Sequence, residues 1–161
     1  MRLSAGLFVF AALIILGCAP APVASDVRAL EDSWNAYQGV DFELPVLDSL
    51  AQYSAHITLR NTNQYPYNNI FLIVRLTHPH GKIQTDTLEY RMARADGSWL
   101  GVGVGAIKDN LLTYRDTISF EEGSGYQLSI KHALRNNGSA QGVSVLEGIT
   151  EVGYQIRELN P

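Results

Sequence analysis

Apolar and polar residues alternate with a period of two through most of this chain, the signature of strands with one face buried. Tyr53, Ala55, Ile57 and Leu59 alternate with Ser54, His56, Thr58 and Arg60. Asn61 to Asn69 follows, dense in residues that favour turns because their short amides bond nearby backbone. Ile70-Phe71-Leu72-Ile73-Val74-Arg75-Leu76 is nearly continuous apolar sequence, which predicts a strand covered on both faces. Before this pair, Gly39 to Leu44 alternates and is stopped by Pro45. After it, Lys82 to Tyr90, Leu111 to Phe120, Tyr126 to Ile130 and Val152 to Ile156 each show an alternating face, with Asp116 out of step in the second. Turn residues at His78–Gly81, Arg94–Ser98 and Glu121–Gly125 separate them. Trp99-Leu100-Gly101-Val102-Gly103-Val104-Gly105 reads as a bulged or curved segment. Helix is expected only as brief turns, over Asp26–Asn35 with Leu30 and Trp34 on one side, and over Lys131–Asn136.

The pattern predicts an all-β fold: a single β-sandwich, immunoglobulin-like or jelly-roll, of seven to eight short antiparallel strands. What precedes it is different in kind. Met1-Arg2 is basic, and Ala5 to Leu16 is an apolar run of signal-peptide length, too short to span a bilayer. It ends in Ile15-Leu16-Gly17-Cys18, which resembles a bacterial lipobox, although Leu16 is bulkier than the usual residue there. The expected division is therefore a lipoprotein signal peptide over 1–17, a lipidated Cys18 with a Pro/Ala-rich tether over 18–36, and the sandwich over 37–161. Resemblance to bacterial lipoproteins implies acyl chains on Cys18. Since Cys18 is the sole cysteine, the domain would have no disulfide, no thiolate ligand and no thiol nucleophile.

Composition narrows the function classes. The chain has 161 residues, 46% apolar and 17% charged, with a formal net charge of −4, an ordinary globular profile for one domain. Its 12 basic residues are scattered, which argues against nucleic acid, whose phosphates require clustered Lys and Arg. No Gly-x-Ser-x-Gly elbow is present, and the Gly101/Gly103/Gly105 spacing is not a phosphate-binding fingerprint. His78 and His80 share a turn and could recruit Asp86 or Glu89 to a metal, but Pro79 between them is turn chemistry and solvated loop histidines are the better reading. No catalytic residue, metal site or cofactor is expected.

The binding candidates are aromatic residues in polar turns. Tyr65 and Tyr67 flank Pro66 among asparagines, including Asn61 and Asn63, and Trp99 follows a Gly-Ser turn. Such rings suit protein interfaces or sugar-stacking platforms, or else they cap the core edge. Asp48-Ser49-Leu50, Asp86-Thr87-Leu88 and Asp116-Thr117-Ile118 resemble the O-glycosylation acceptor pattern of exported Bacteroidetes proteins, with Ser49, Thr87 and Thr117 as acceptors.

Three segments carry a wider resemblance: Leu59 to Leu72, Thr85 to Tyr90 and Asp96 to Gly103, joined by Gly148 to Gly153 and the lipobox. Together they resemble the GldH family of gliding-motility lipoproteins from Bacteroidetes over nearly all of the mature chain. The resemblance implies a non-enzymatic envelope lipoprotein, anchored to a bacterial membrane (the outer membrane is the expected one) through Cys18. It implies a structural or assembly role in the gliding machinery linked to type IX secretion, with other envelope proteins as partners. The alternative is a cell-surface carbohydrate-binding lipoprotein that uses Tyr65, Tyr67 or Trp99. An envelope hydrolase is a more distant possibility.

Overall fold

In the strand Tyr53–Asn61 every odd residue is buried and every even one half-buried, as the alternation demands. The same logic builds the rest of the chain, seen here in a computed structural model that describes residues 21–31, 33–123, 125–136, 138 and 141–159. The described residues form ten strands and no helix: β1 (Ala24–Ala29), β2 (Ser33–Asn35), β3 (Val40–Glu43), β4 (Tyr53–Asn61), β5 (Asn69–Thr77), β6 (Ile83–Arg91), β7 (Lys108–Ile118), β8 (Gln127–His132), β9 (Val145–Glu147) and β10 (Ile149–Glu158). Two four-stranded antiparallel sheets stack, in the orders β1-β10-β4-β7 and β3-β8-β5-β6, while β2 and β9 form a small ribbon. Along the chain the strands pass from one sheet to the other, apart from the β5–β6 hairpin, which winds them into the jelly-roll form of the expected sandwich.

The inward faces meet in a single core. Ile57, Ile70, Leu72, Val74, Ile130 and Val152 are inaccessible to solvent. Phe42 of one sheet meets Tyr154 of the other edge-on at 5.3 Å, and Phe120 packs on both Tyr53 and Tyr126. Such edge-to-face pairs are favoured by the ring quadrupole.

Neither expected helical turn forms among the described residues, and strand takes up most of the first and the start of the second. Residues 24–29 pair along β10 and residues 33–35 along β9, so strands lie on both sides of the expected tether boundary at residue 36. Arg28, Ala29 and Leu30 favour helix locally, but the unpaired edge of β10 offers a full ladder of backbone partners, and tertiary pairing overrides propensity. The charges on the parity of buried Ala24 stay at the sheet edge: exposed Arg28 pairs with half-buried Asp26 at 2.8 Å and lies over the Phe42 ring. Lys131 and His132 belong to β8, and beyond it Val143 N–H donates to Leu134 O. Strand β5 is not covered on both faces as expected. Ile70, Leu72, Val74 and Leu76 are buried, while Phe71 and Ile73 are half-buried and Arg75 exposed, because no third layer covers the sheet.

One flank of the sandwich is closed by polar groups rather than apolar ones. Asp86 of β6 points inward and accepts from Tyr114 OH at 2.9 Å, Arg115 Nη2 at 2.7 Å and Gln84 Nε2 at 3.2 Å. Beside it, Tyr90 OH donates to Thr113 O at 2.6 Å. Burial alone would raise the Asp86 carboxyl, but the bonds from Tyr114, Arg115 and Gln84 outweigh it and hold the group below the usual carboxylate range. Burial also pushes the Tyr90 and Tyr114 hydroxyls up to about 12. Asp86→Ala leaves Tyr114 and Arg115 without their shared acceptor, and urea denaturation should show a loss of roughly 1–3 kcal/mol.

Two imidazoles make the fold acid-sensitive. His132 lies edge-on to Trp34, and its Nε2–H donates to Trp34 O at 2.9 Å. Burial holds it below its ordinary 6.5, against the pull of that bond. Burial, then the charge of Arg157, lowers His56 as well. The unfolded chain therefore takes up protons that the folded chain refuses. The stability these two groups contribute should be full above about pH 6.5 and fall as the pH drops below it, towards the depressed folded values. The melting temperature should fall between pH 7 and 5, and His132→Phe should flatten that slope.

Candidate functional site

The segments that carry the family resemblance converge on one end of the sandwich. The turn between β4 and β5 starts from Asn61, whose side chain is buried and accepts from Asn110 Nδ2 at 2.8 Å. Asn110 Nδ2 also lies 3.2 Å from Leu59 O, so this amide pair ties β4 to β7 under the turn. Two residues on, Asn63 is exposed and its Oδ1 accepts from Trp99 Nε1 at 3.0 Å. The Tyr65 ring is buried, edge-on to Tyr67 at 5.7 Å and tilted against Trp99 at 6.1 Å, and its hydroxyl donates to Asn69 O at 2.7 Å. Burial and then the neighbouring Tyr67 push that hydroxyl far above the ordinary tyrosine value. Tyr67 OH donates to Asn136 Oδ1 at 2.9 Å.

Adjacent elements hold the turn from three sides. The backbone of Met92 and Ala93 donates to Asn68 O, and Asn69 Nδ2 donates to Glu89 Oε1 at 2.7 Å. The 94–98 turn is closed by Arg94 N–H to Ser98 O and by the Asp96 carboxylate, which accepts from Ser98 twice. The hydrogen bonds from Ser98 hold the exposed Asp96 carboxyl below its ordinary value. Trp99 then bridges back to Ala93. Below, Gly148 O accepts from Thr62 N at 2.8 Å, and the glycine lies directly against Gln64 and Tyr65.

Of the five sequence candidates, Asn63, Tyr65, Tyr67 and Trp99 thus form one cluster, with Asn61 beneath it. Asn61 and Tyr65 are buried and act as supports. The surface they hold up is formed by Asn63, Gln64, Pro66 and Asn68, with Tyr67 and Trp99 half-exposed. Sequence reasoning missed Asn110 and Asn136, whose contributions depend on contacts 49 and 69 residues away in the chain.

The remaining candidates are dispersed. Thr87 and Thr117 are exposed and Ser49 half-buried, and Asp86 beside Thr87 is committed to the flank. His78 is less open than a solvated loop residue: its ring packs 5.0 Å from Tyr126 and its Nδ1 lies 3.1 Å from Glu121. Asp86 and Glu89 bond elsewhere, and among the described residues no group of three or more His, Cys, Asp or Glu could hold a metal ion. Cys18 and the apolar run before it lie outside the described residues.

The family model described as GldH lipoprotein matches residues 23–156, nearly all of the folded domain. The chain belongs to the GldH lipoprotein family. A GldH homolog named as a gliding motility lipoprotein, from Christiangramia forsetii, is 38% identical over 152 residues, covering 94% of this chain and 93% of that protein. The gliding motility lipoprotein GldH of Flavobacterium johnsoniae is 39% identical over 155 residues, covering 96% of each. Among solved structures, one of infectious bursal disease virus, Gt strain, aligns with 89% of this chain and 34% of the viral chain, at TM-score 0.36 and 14% identity.

Proposed function

We propose that this GldH-family chain is a non-enzymatic assembly component of a gliding apparatus linked to type IX secretion, held in the envelope by acyl chains on Cys18. Full-length similarity to two relatives named for gliding motility carries this reading. The turn cluster supports it: four chain segments hold a rigid polar end with two half-exposed aromatic rings, the anatomy of a protein contact. Tyr65 is buried between its neighbours and offers no free ring face to a sugar. The outer membrane is the proposed site of the anchor. Deleting the gene should abolish spreading over surfaces and leave growth in liquid unchanged. Normal spreading and normal export of surface adhesins in the deletion strain would sink the proposal. Glycans on Ser49, Thr87 or Thr117 would appear as added mass on the native protein.

A further inference from the structure

The outer face of the β1-β10-β4-β7 sheet is mostly polar, but one row across it carries exposed aliphatic side chains beside an aliphatic loop. Val27, Gly153, Thr58 and Leu111 fall in one row across its four strands. Val27 and Leu111 are about half exposed, at 46% and 50%. Gly153 is buried in that row, where neighbours leave no room for a side chain: a Cβ there would run into Asp26 O and come within 2.6 Å of Thr58 Oγ1 and 2.8 Å of Val27 Cγ2. Next to it stands the 99–107 loop, joined to β7 by the Val102–Asp109 bridge. Val102 is 75% exposed and Val104 95%, and Ile107 lies alongside at 49%. Between them is a groove of about 380 Å³ whose exposed aliphatic lining is Val27, Val102 and Leu111, with the paired Arg60, Asp109 and Glu151 also in its wall. The loop is built to hold this shape. Gly103 and Gly105 have φ of +150° and +65°, a Cβ on Gly103 would strike Ile107 O, and Lys108 Nζ donates to Gly103 O at 2.9 Å. Scattered exposed aliphatics are ordinary, whereas a contiguous set marks a contact surface.

We infer that this face and its glycine loop lie on the lipid bilayer that holds the anchor. The occupant follows from where the described chain begins. Residues 18–23 can reach at most about 20 Å when extended. They lead into Val23, which is exposed on the same side of β1 as Val27. Anchor and loop stand at opposite ends of one sheet face, because Ala24 pairs with Ile156 and Ala29 with Glu151, next to Arg60 and Asp109. Holding both ends to one surface sets the sheet flat against it. The charges allow this. Asp109 and Glu151 both pair with Arg60, so neither carboxylate enters the interface alone. Lys108 and Arg157 have long stems that let their charges reach the headgroups. Segment 99–107 contains no acid at all. Asp116 is exposed at the far end of β7, where its charge acts on His56.

The inference rests on the anchoring reading, and one experiment separates the two. The full lipidated chain is placed in phosphatidylcholine–phosphatidylethanolamine vesicles. With Cys18 acylated, Val104→Cys or Ile83→Cys supplies the one free thiol for an environment-sensitive dye, Ile83 being exposed on the opposite sheet. The dye at 104 should shift to the blue and be quenched severalfold by brominated lipid, while the dye at 83 stays aqueous. Reporting from Leu111→Cys, the added pair Val102→Asp and Val104→Asp should remove the quenching while the protein still floats with the vesicles. Protein that fails to float refutes the anchoring itself. Floating protein with equal, aqueous signals at 104 and 83 overturns the inference, as does a blue shift at 104 that brominated lipid leaves unquenched, which would mean a protein contact.

Discussion

Gly148→Ala should be the most damaging single-methyl addition in the domain, lowering stability by roughly 2–5 kcal/mol in urea denaturation. Two costs coincide there. The residue has φ of +79°, where an L side chain is strained. A Cβ would also sit 2.6 Å from Tyr65 Cα and 2.7 Å from the Gln64 carbonyl carbon. Those atoms are backbone, so no rotamer change relieves the overlap and the whole 61–69 turn must move. Movement there loosens the Thr62–Gly148 bond, the Tyr65–Trp99 ring contact and the Asn63–Trp99 bond together. The control is Gly81→Ala, at φ of +81° with nothing within 4 Å of the new carbon, which should show only the conformational cost of about 1 kcal/mol. The Trp emission of the Gly148 variant should change, because Trp99 rests on that turn. Equal losses for the two variants would mean that the close packing of Gly148 under the turn is not a constraint.

Cys18→Ser should move the protein from the membrane to the soluble fraction and leave its thermal unfolding unchanged. Each methylene buried in the bilayer contributes about 0.8 kcal/mol, and one acyl chain gives only marginal binding, whereas several hold a protein firmly. A serine cannot take the thioether-linked lipid, so the full anchor is lost at once. The groove and loop on the sheet face are too small to replace it, so weak residual binding is the most they should give. Spreading should fail in a strain carrying this variant, despite a folded domain. Labelled palmitate incorporated into the wild-type chain and absent from the variant is the direct check.

How far the sequence could be read depended on how local each cause is. The odd–even register of β4 was plain because the strand is central, with one face on the core and the other towards water. Asp116 was out of step in β7, and the structure explains it. The β4–β7 register shifts twice between Tyr53 and His56, a bulge that resets which side each residue faces. Strand β1 was illegible: on the parity of buried Ala24 stand half-buried Asp26 and exposed Arg28, an ion pair over a ring at the sheet edge where an apolar alternation would have been readable. In the turn cluster the residue types were visible, but a turn has no period to say which ring faces in. Tyr65 and Tyr67 look equivalent in sequence, yet one is buried and the other half-exposed. Gly148 stood within a recognisable motif, but its reason is a turn more than eighty residues earlier in the chain.

Contact through the 61–69 turn surface is the proposed working mode of the chain. Gln64→Arg with Asn68→Arg places bulk and charge at two exposed positions whose side chains support nothing below them. Introduced into a deletion strain, the double variant should fold, reach the membrane at the wild-type level and fail to restore spreading. Full spreading from that variant, at equal abundance, would contradict the account.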